Sequence, residues 1–206
     1  MTLLVRNLAA AAIIVLTAAA VHAVPLELSV NGGFETGDFS GWVQFPTAGG
    51  QQTIVSPGAS GTYAACIDNQ VSPSGSVIKN ANIGIGLVMP GATVTISFDA
   101  RGAGAAGGVA FAEFFSELSG GGVSSAVILG CAPLILNADP NVWTTFNFTT
   151  PAGPDVSGGV TLQFGAITGA DNASSMLLCV DNISVTVDGV VAVEEVTWSA
   201  VKNTFK

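Results

Sequence analysis

Apolar and polar residues alternate with a period of two in most segments of the chain. Val94, Ile96 and Phe98 fall on one side of their segment, and the polar residues between them fall on the other. Phe146 and Phe148 alternate with threonine and asparagine in the same way. Successive side chains of a strand point to opposite faces, so this pattern predicts strands that bury one face.

Turn signals separate these strands. Glycine-rich or proline-containing stretches recur along the chain, the clearest at 31–33, 90–91, 101–108, 120–122 and 151–159. They delimit about ten strands, too many for one open sheet and normal for two packed sheets. The 26 glycines and the 9% of charged residues also favour an all-β protein over a helical one. We therefore predict a two-sheet antiparallel β-sandwich over residues 24–188.

The segment 108–118 places phenylalanine on both faces of its strand. One face, which includes Phe114, has no charge and is expected to meet the core. The other face combines Phe111 and Phe115 with Glu113. Two interpretations stay open: these phenylalanines form an exposed aromatic surface, or a loop covers them.

A break in the alternation near the end of the sandwich predicts a β-bulge. Val180 and Ile183 are three residues apart, so a regular strand cannot turn both toward the core. A bulge at Asp181 and Asn182 restores the register, and it redirects a carboxylate.

The N-terminal 23 residues have the composition of a secretory signal peptide. Arg6 precedes an apolar run, and Val21-His22-Ala23 supplies a small-x-small cleavage site. The run is about a dozen residues long, whereas a membrane span needs roughly 20. We expect cleavage after Ala23 and a secreted or cell-surface protein without a membrane span.

Residues 189–206 depart from the strand pattern. Trp198, Val201 and Phe205 are spaced as on one face of a helix, which predicts a linker followed by a short C-terminal helix. That helix either docks on the domain or serves as a tail that a protein partner recognises.

Charge and histidine content exclude several functions. Without the first 23 residues the chain has four cations against 14 acids, a formal charge of −10. Nucleic acid is not an expected partner, because phosphate binding needs clustered lysine and arginine. The only histidine, His22, lies in the signal segment, so the mature chain has no imidazole for a catalytic triad or a general base.

The three cysteines are Cys66, Cys131 and Cys179. In an oxidising compartment they allow one disulfide and one free thiol, and all three pairings stay open. Their spacing does not match a zinc site.

The segment Asn31-Gly32-Gly33-Phe34-Glu35, followed shortly by Gly41-Trp42, resembles the opening of the family 4/9 type carbohydrate-binding modules. The resemblance continues through residues 90–101 and closes at Val180-Asp181-Asn182-Ile183-Ser184-Val185, which is similar to the family's terminal Leu-Asp-Asp-Val. It covers about residues 26–188. It implies a jelly-roll sandwich related to galactose-binding-like folds, with a glycan cleft on the concave sheet and often a structural Ca²⁺.

The resemblance also implies a calcium site. On matching positions Glu35 and Asp181 become the candidate calcium ligands, and nearby main-chain carbonyls complete the oxygen shell. Asn182 stands where the family has a second aspartate, which weakens the charge of the site.

Sugar binding requires exposed aromatic faces flanked by polar side chains that hydrogen-bond hydroxyl groups. Trp42 and Trp143 belong to the fold motifs, and we interpret them as structural. The remaining candidates are Tyr63, Asp68, Asn69, Gln70, Phe111, Glu113, Phe115 and Gln163.

Three functions compete. The first is a noncatalytic module that binds neutral polysaccharide on one sheet. The second is a structural or adhesive surface protein, and the third is a glycoside hydrolase. Glu113 and Glu117 are about 13 Å apart along one strand, farther than the about 5 to 9.5 Å between glycosidase carboxylates. The sequence therefore favours the first.

Overall fold

The computed structural model describes residues 24–47 and 50–188, which form eleven strands and one short 3-10 turn at Leu129–Cys131. In chain order the strands are β1 (Leu26–Glu27), β2 (Val43–Phe45), β3 (Gln51–Val55), β4 (Ala64–Asn69), β5 (Ser74–Ile83), β6 (Thr93–Ala105), β7 (Val109–Glu117), β8 (Val123–Ile128), β9 (Thr144–Pro151), β10 (Val160–Thr168) and β11 (Ser175–Val187).

The strands form two antiparallel sheets. Sheet A has the order β3-β4-β11-β6-β9, and β1 pairs with the end of β11. Sheet B has the order β2-β5-β10-β7-β8. The β-sandwich predicted from the alternation and the turn signals is therefore confirmed. Most neighbours in each sheet are far apart in sequence, so long-range pairing holds the domain together.

The core lies between the two sheets. Val94, Ile96 and Phe98 of β6 are at most 1% exposed, as their alternation predicts. The Phe98 ring meets the ring of Phe164 from sheet B edge to face, with centroids 4.8 Å apart. Trp42 packs against Phe164 and is buried, which confirms its structural role.

The predicted bulge is present in β11. Its pairing with β6 shifts register between Asp181 and Ser184, and Asn182 has a φ of 52°. As a result Val180 and Ile183 are both buried, at 0% and 5% exposure. The extra residue keeps both apolar side chains in the core, and Asp181 is fully buried beside them.

One disulfide joins neighbouring strands of sheet A. Cys66 of β4 lies directly opposite Cys179 of β11, and the two are bonded. Cys131 is exposed and has a free thiol. The structure thus selects one of the three pairings that the sequence left open.

The predicted signal peptide in residues 1–23 and the predicted C-terminal helix in residues 189–206 lie outside the described residues. Between residues 24 and 188, no helix has the length and apolar character needed to cross a membrane.

Candidate functional site

The outward side of sheet B carries a row of polar and aromatic side chains, which we call the sheet B face. Strand register aligns Lys79 of β5 with Gln163 of β10, and Gln163 with Glu113 of β7. Two residues further along β10 and on the same face, Gly165 lies opposite Phe111 of β7. The face includes Val43, Phe45, Val77, Lys79, Phe111, Glu113, Phe115, Glu117, Gln163 and Gly165.

The centre of the sheet B face lies lower than its margins. Gln163 and Gly165 on the central strand are buried, although they point away from the core. On the edge strand β2, Val43 and Phe45 are 47% and 48% exposed. Because Gly165 has no side chain, the taller side chains of β5 and β7 rise on both sides of it. From these exposures we infer a shallow groove along β10, and the Lys79 side chain extends over it, with its ammonium group between the rings of Phe45 and Phe115.

The groove has a polar centre. The side-chain amide of Gln163 donates a hydrogen bond of 2.5 Å to Glu113 Oε2. The amide oxygen of Gln163 accepts no hydrogen bond from the described residues. Lys79 has no carboxylate partner within 4.0 Å among those residues. The amide oxygen of Gln163 can therefore accept a hydrogen bond from a ligand above β10, and the ammonium group of Lys79 can donate one to it.

Two aromatic rings flank this centre. The ammonium group of Lys79 lies 5.2 Å from the ring centroid of Phe45 and 5.6 Å from that of Phe115. Phe115 and Phe111 are half-buried, so part of each ring reaches solvent. Of the two open interpretations, the structure supports an aromatic surface over a fully covered one.

Four of the predicted binding residues lie away from the sheet B face. Tyr63 packs against the core from the loop before β4, and Asp68 is on the outward side of sheet A, where it accepts a hydrogen bond from Gln70. Asn69 is fully buried, and its amide donates to the main-chain oxygen of Ala166. We correct the sequence prediction for Asn69, because this amide joins the two sheets and is closed to ligands.

No sequence pattern identifies Phe45 and Lys79 as residues of this site. Phe45 lies in a three-residue strand, too short for alternation to be recognised. Lys79 takes an outward position in β5, but the apolar Val77 on the same side and the buried Asn80 on the other obscure the alternation there. Only the pairing of β2 and β10 with β5 brings both residues to the groove.

Glu35 and Asp181 lie together beside the loop before β4. Glu35 Oε1 accepts hydrogen bonds from the main-chain N–H groups of Thr62 (2.9 Å) and Tyr63 (3.0 Å). Asp181 Oδ2 accepts from those of Ala59 (2.7 Å) and Ser60 (3.2 Å). Asp181 thus holds the loop to the bulge of β11, and Glu35 holds it to the opening motif.

Further oxygen atoms converge at this loop. A methyl group placed on Gly58 would lie 2.4 Å from the Tyr63 carbonyl oxygen, 2.6 Å from that of Ser60 and 2.7 Å from Asp181 Oδ2. Carboxylate and carbonyl oxygens are the donor set that Ca²⁺ takes. In the part of the chain that the structure describes, no three His, Cys, Asp or Glu side chains form a metal cluster. Main-chain oxygens would therefore have to complete the shell.

The electrostatics of this loop favour a positive charge. Burial raises the pKa of Asp181, and the nearby negative charge of Glu35 raises it further; hydrogen bonds from Asn182, Ser60 and Ala59 act in the opposite direction. A carboxylate has about four acceptor positions. Glu35 uses only part of this capacity on the two N–H donors. The carboxylate and carbonyl oxygens at this loop are therefore of the type that a hard cation binds.

Comparison with known proteins supports the fold. No family profile matches the sequence, and no curated protein matches it. Similar solved structures include the CBM22-1 xylan-binding domain of Paenibacillus barcinonensis Xyn10C, with 14% identity and a TM-score of 0.53 over 83% of this chain and 99% of that one. Family 16 carbohydrate-binding module-2 matches with 16% identity and a TM-score of 0.52 over 77% of this chain and 98% of that one.

A viral protein shares the same fold. The enzymatically active domain of tailspike protein 4 from bacteriophage CBA120 matches with 13% identity and a TM-score of 0.58 over 78% of this chain. The chain spans 21% of the length of that protein. The narrower assignment to family 4/9 stays a prediction. The domain is a β-sandwich of the kind seen in carbohydrate-binding modules.

Proposed function

We propose that the protein binds neutral polysaccharide without cleaving it, on the sheet B face. The observation that carries this proposal is the polar row Lys79, Gln163 and Glu113 across the groove, with the rings of Phe45 and Phe115 beside it. A sugar ring offers an apolar face to aromatic rings and hydroxyl groups to polar side chains. This groove has both kinds of partner close together, because Phe115 is only two residues from Glu113 along β7.

The acids of this face are poorly arranged for hydrolysis. Glu113 and Glu117 are its two carboxylates, and they lie on the same strand four residues apart. Glu113 also accepts the hydrogen bond from Gln163. This separation supports binding over cleavage, because glycosidase carboxylates face each other across one bond.

The solved structures suggest which ligand to test first. One similar structure is described as a xylan-binding domain. Because the likeness is one of fold, it selects a starting probe and leaves the site to be argued from the side chains. Xylohexaose, with cellohexaose and galactotriose beside it, forms a suitable panel of neutral glycans.

Calorimetric titration of the protein with this panel tests the proposal. Phe115→Ala and Gln163→Ala should each weaken binding about tenfold, since each removes roughly 1.4 kcal/mol of ring contact or hydrogen bonding. Ile135→Ala is the matched control, because Ile135 is 85% exposed and is not part of the sheet B face. Absence of binding to every glycan at millimolar concentration contradicts the proposal. Equal weakening by the control variant does so too.

We further propose that Glu35 and Asp181 hold a structural Ca²⁺ with main-chain oxygens of the loop before β4. A ligand that binds only the folded state raises the free energy of unfolding by mass action. Millimolar Ca²⁺ should therefore raise the melting temperature of the metal-stripped protein. Glu35→Gln should abolish this rise, and Asp68→Asn, on the outward side of sheet A, should leave it unchanged. An equal response to Mg²⁺, or none to Ca²⁺, would count against a dedicated calcium site.

We also propose that the protein is exported from the cell. The N-terminal segment has the pattern of a signal peptide, and the Cys66–Cys179 disulfide is of a kind that persists in oxidising compartments. N-terminal sequencing of protein recovered from the culture medium should begin at Val24.

A further inference from the structure

Strand β9 ends the order of sheet A, and among the described residues it pairs only with β6. It has eight residues, whereas the other strands that end a sheet order, β2, β3 and β8, have three, five and six. Proteins usually protect a long edge with a charged side chain, an internal proline or a bulge. β9 has no charged residue, its proline is the last residue, and its register with β6 is unbroken. The edge is therefore open to another strand.

Alternate main-chain groups of β9 point away from β6. Just past the end of the strand, the N–H of Ala152 donates to the carbonyl oxygen of Ala92 (2.8 Å). Bonded and non-bonded positions alternate along an antiparallel pair, so the even-numbered residues of β9 bond to β6 and the odd-numbered ones face outward. Pro151 fits this alternation, because its missing N–H falls at an outward position. The outward N–H groups belong to Thr145, Asn147 and Thr149.

The sequence of β9 reads the same in both directions. Residues 144–150 are Thr-Thr-Phe-Asn-Phe-Thr-Thr, with Asn147 at the centre. An antiparallel copy centred on Asn147 places threonine opposite threonine and phenylalanine opposite phenylalanine. Aromatic pairs and threonine pairs directly opposite each other stabilise antiparallel strands. The outward N–H positions match as well, since Thr145 falls opposite Thr149 and Asn147 falls opposite itself. The strand is therefore complementary to a second copy of itself.

The surroundings of the edge also suit a second copy. On the inner side, the rings of Phe146 and Phe148 stack with centroids 6.3 Å apart and are half-buried. They line a pocket of about 230 Å³ together with Ile135, which is 85% exposed. On the outer side, the exposed residues of β9 are uncharged threonine and asparagine. Pairing of two copies would cover apolar surface without bringing charged side chains of β9 together.

We propose that the protein forms a two-fold dimer in which β9 of one copy pairs antiparallel with β9 of the other. The two-fold axis passes beside Asn147, and the outward positions of the two strands exchange about six main-chain hydrogen bonds. Each copy uses the same surface, so the assembly closes at two chains.

The geometry of this dimer has a consequence for the sheet B face. Paired residues of adjacent strands lie on the same face of a sheet, so the core-facing sides of both β9 strands point the same way. Both copies of sheet B then lie on one side of the joined sheet A. If the sheet B face binds glycan as proposed above, the dimer presents two grooves to one polysaccharide surface, which raises the overall affinity. The pairing of β9 does not depend on that function.

Sedimentation velocity of the exported protein, without glycan, tests the pairing. Cys131→Ser is present in every sample, so that an exposed thiol does not link the copies. The mass should rise from one chain to two as the concentration increases from micromolar to millimolar. Residues 24–206 carry a formal charge of −10. Added salt should therefore favour the dimer, because it screens the repulsion between copies.

Two variants in β9 should weaken the dimer and leave the domain folded. Thr149→Pro removes an outward N–H and no bond to β6, and Asn147→Lys opposes two cations at the two-fold axis. Each should raise the dissociation constant at least about tenfold. Thr53→Lys is the matched control, because Thr53 is exposed on β3, at the other edge of sheet A. It should dimerise like the unmodified protein.

A mixture of two variants tests the register. Asn147→Lys and Asn147→Asp each oppose like charges in a dimer with themselves, whereas a mixed dimer opposes unlike charges. An equimolar mixture should therefore contain more dimer than either variant alone. This result requires residue 147 to lie opposite itself.

A single-chain mass at every concentration and salt would overturn the proposal. A dimer that persists in the folded Thr149→Pro and Asn147→Lys variants would also overturn it, as would no gain of dimer on mixing. Loss of the dimer in Thr53→Lys would place the contact at β3 and refute the pairing of β9. Failure of the neutral glycans to bind would refute only the function proposed for the sheet B face, because the dimer is measured without glycan.

Discussion

Two neighbouring glycines in the opening motif have different roles. The carbonyl oxygen of Gly32 accepts a hydrogen bond of 2.9 Å from the N–H of Ile183, at the bulge of β11. A Cβ on Gly32 would lie 2.0 Å from the main-chain oxygen of Ile183, a distance that no side chain tolerates. A Cβ on Gly33 would be 3.6 Å from its nearest neighbour, Glu35 Cγ. Only the first glycine is required by the close approach of two backbones.

Gly32→Ala should therefore destabilise the fold, and Gly33→Ala should not. The added methyl group at position 32 pushes the motif away from the bulge, at a cost of about 1–3 kcal/mol by analogy with overpacked cores. At position 33 the methyl group makes an ordinary contact, so the free energy of unfolding should change by less than about 0.5 kcal/mol. Urea unfolding of both variants measures the difference. Equal stability of the two would show that the backbone contact at Gly32 relaxes freely.

At the scale of strands, the sequence predicts long alternating elements well and short edge elements poorly. β6, β9 and β11 were recognised, because each has several apolar residues of one parity between clear turns. β2 has three residues and no detectable period. The candidate site shows the same limit: Phe111, Glu113 and Phe115 lie on one strand and were predicted as one face. Their partners come from other strands through long-range register, which no local pattern encodes.

The Cys66–Cys179 disulfide should contribute measurably to the stability of sheet A. It closes a segment with a sequence separation of 113 residues, and removal of such a bond typically costs 2–5 kcal/mol. A Cys66→Ala/Cys179→Ala variant should melt roughly 4–20 °C lower, at about 2–4 °C per kcal/mol for a domain of this size.

Cys131→Ser is the matched control for the disulfide, because Cys131 is exposed and unbonded. Its melting temperature should equal that of the unmodified protein under both oxidising and reducing conditions. If the double variant melted at the same temperature as this control, hydrogen bonding between β4 and β11 would suffice without the bond.

The charge of the whole sandwich is strongly unbalanced. Residues 24–188 contain 12 acids and two cations, Lys79 and Arg101, and the described residues form no ion pair. Mutual repulsion of acids destabilises a compact state. The pKa values of individual carboxylates are shifted in both directions. Burial raises the pKa of Asp181, and hydrogen bonds from Ser184, Ser29 and Val185 outweigh burial and lower the pKa of Glu27.

These opposite shifts predict maximal stability in mildly acidic solution. Because the folded-state pKa of Asp181 is raised, its ionisation destabilises the fold at neutral pH, and this penalty disappears as pH falls through that pKa. The folded-state pKa of Glu27 is lowered, so its stabilisation is present above the unfolded value of about 4.3 and is lost as pH falls through the folded one. With metal removed, the melting temperature should rise as pH falls from neutral through the raised pKa of Asp181, and it should fall again as pH drops below the unfolded value of Glu27. Asp181→Asn should flatten the rise and keep the acidic fall, and a melting temperature that decreases steadily from pH 8 would show that the buried carboxylate has no such effect.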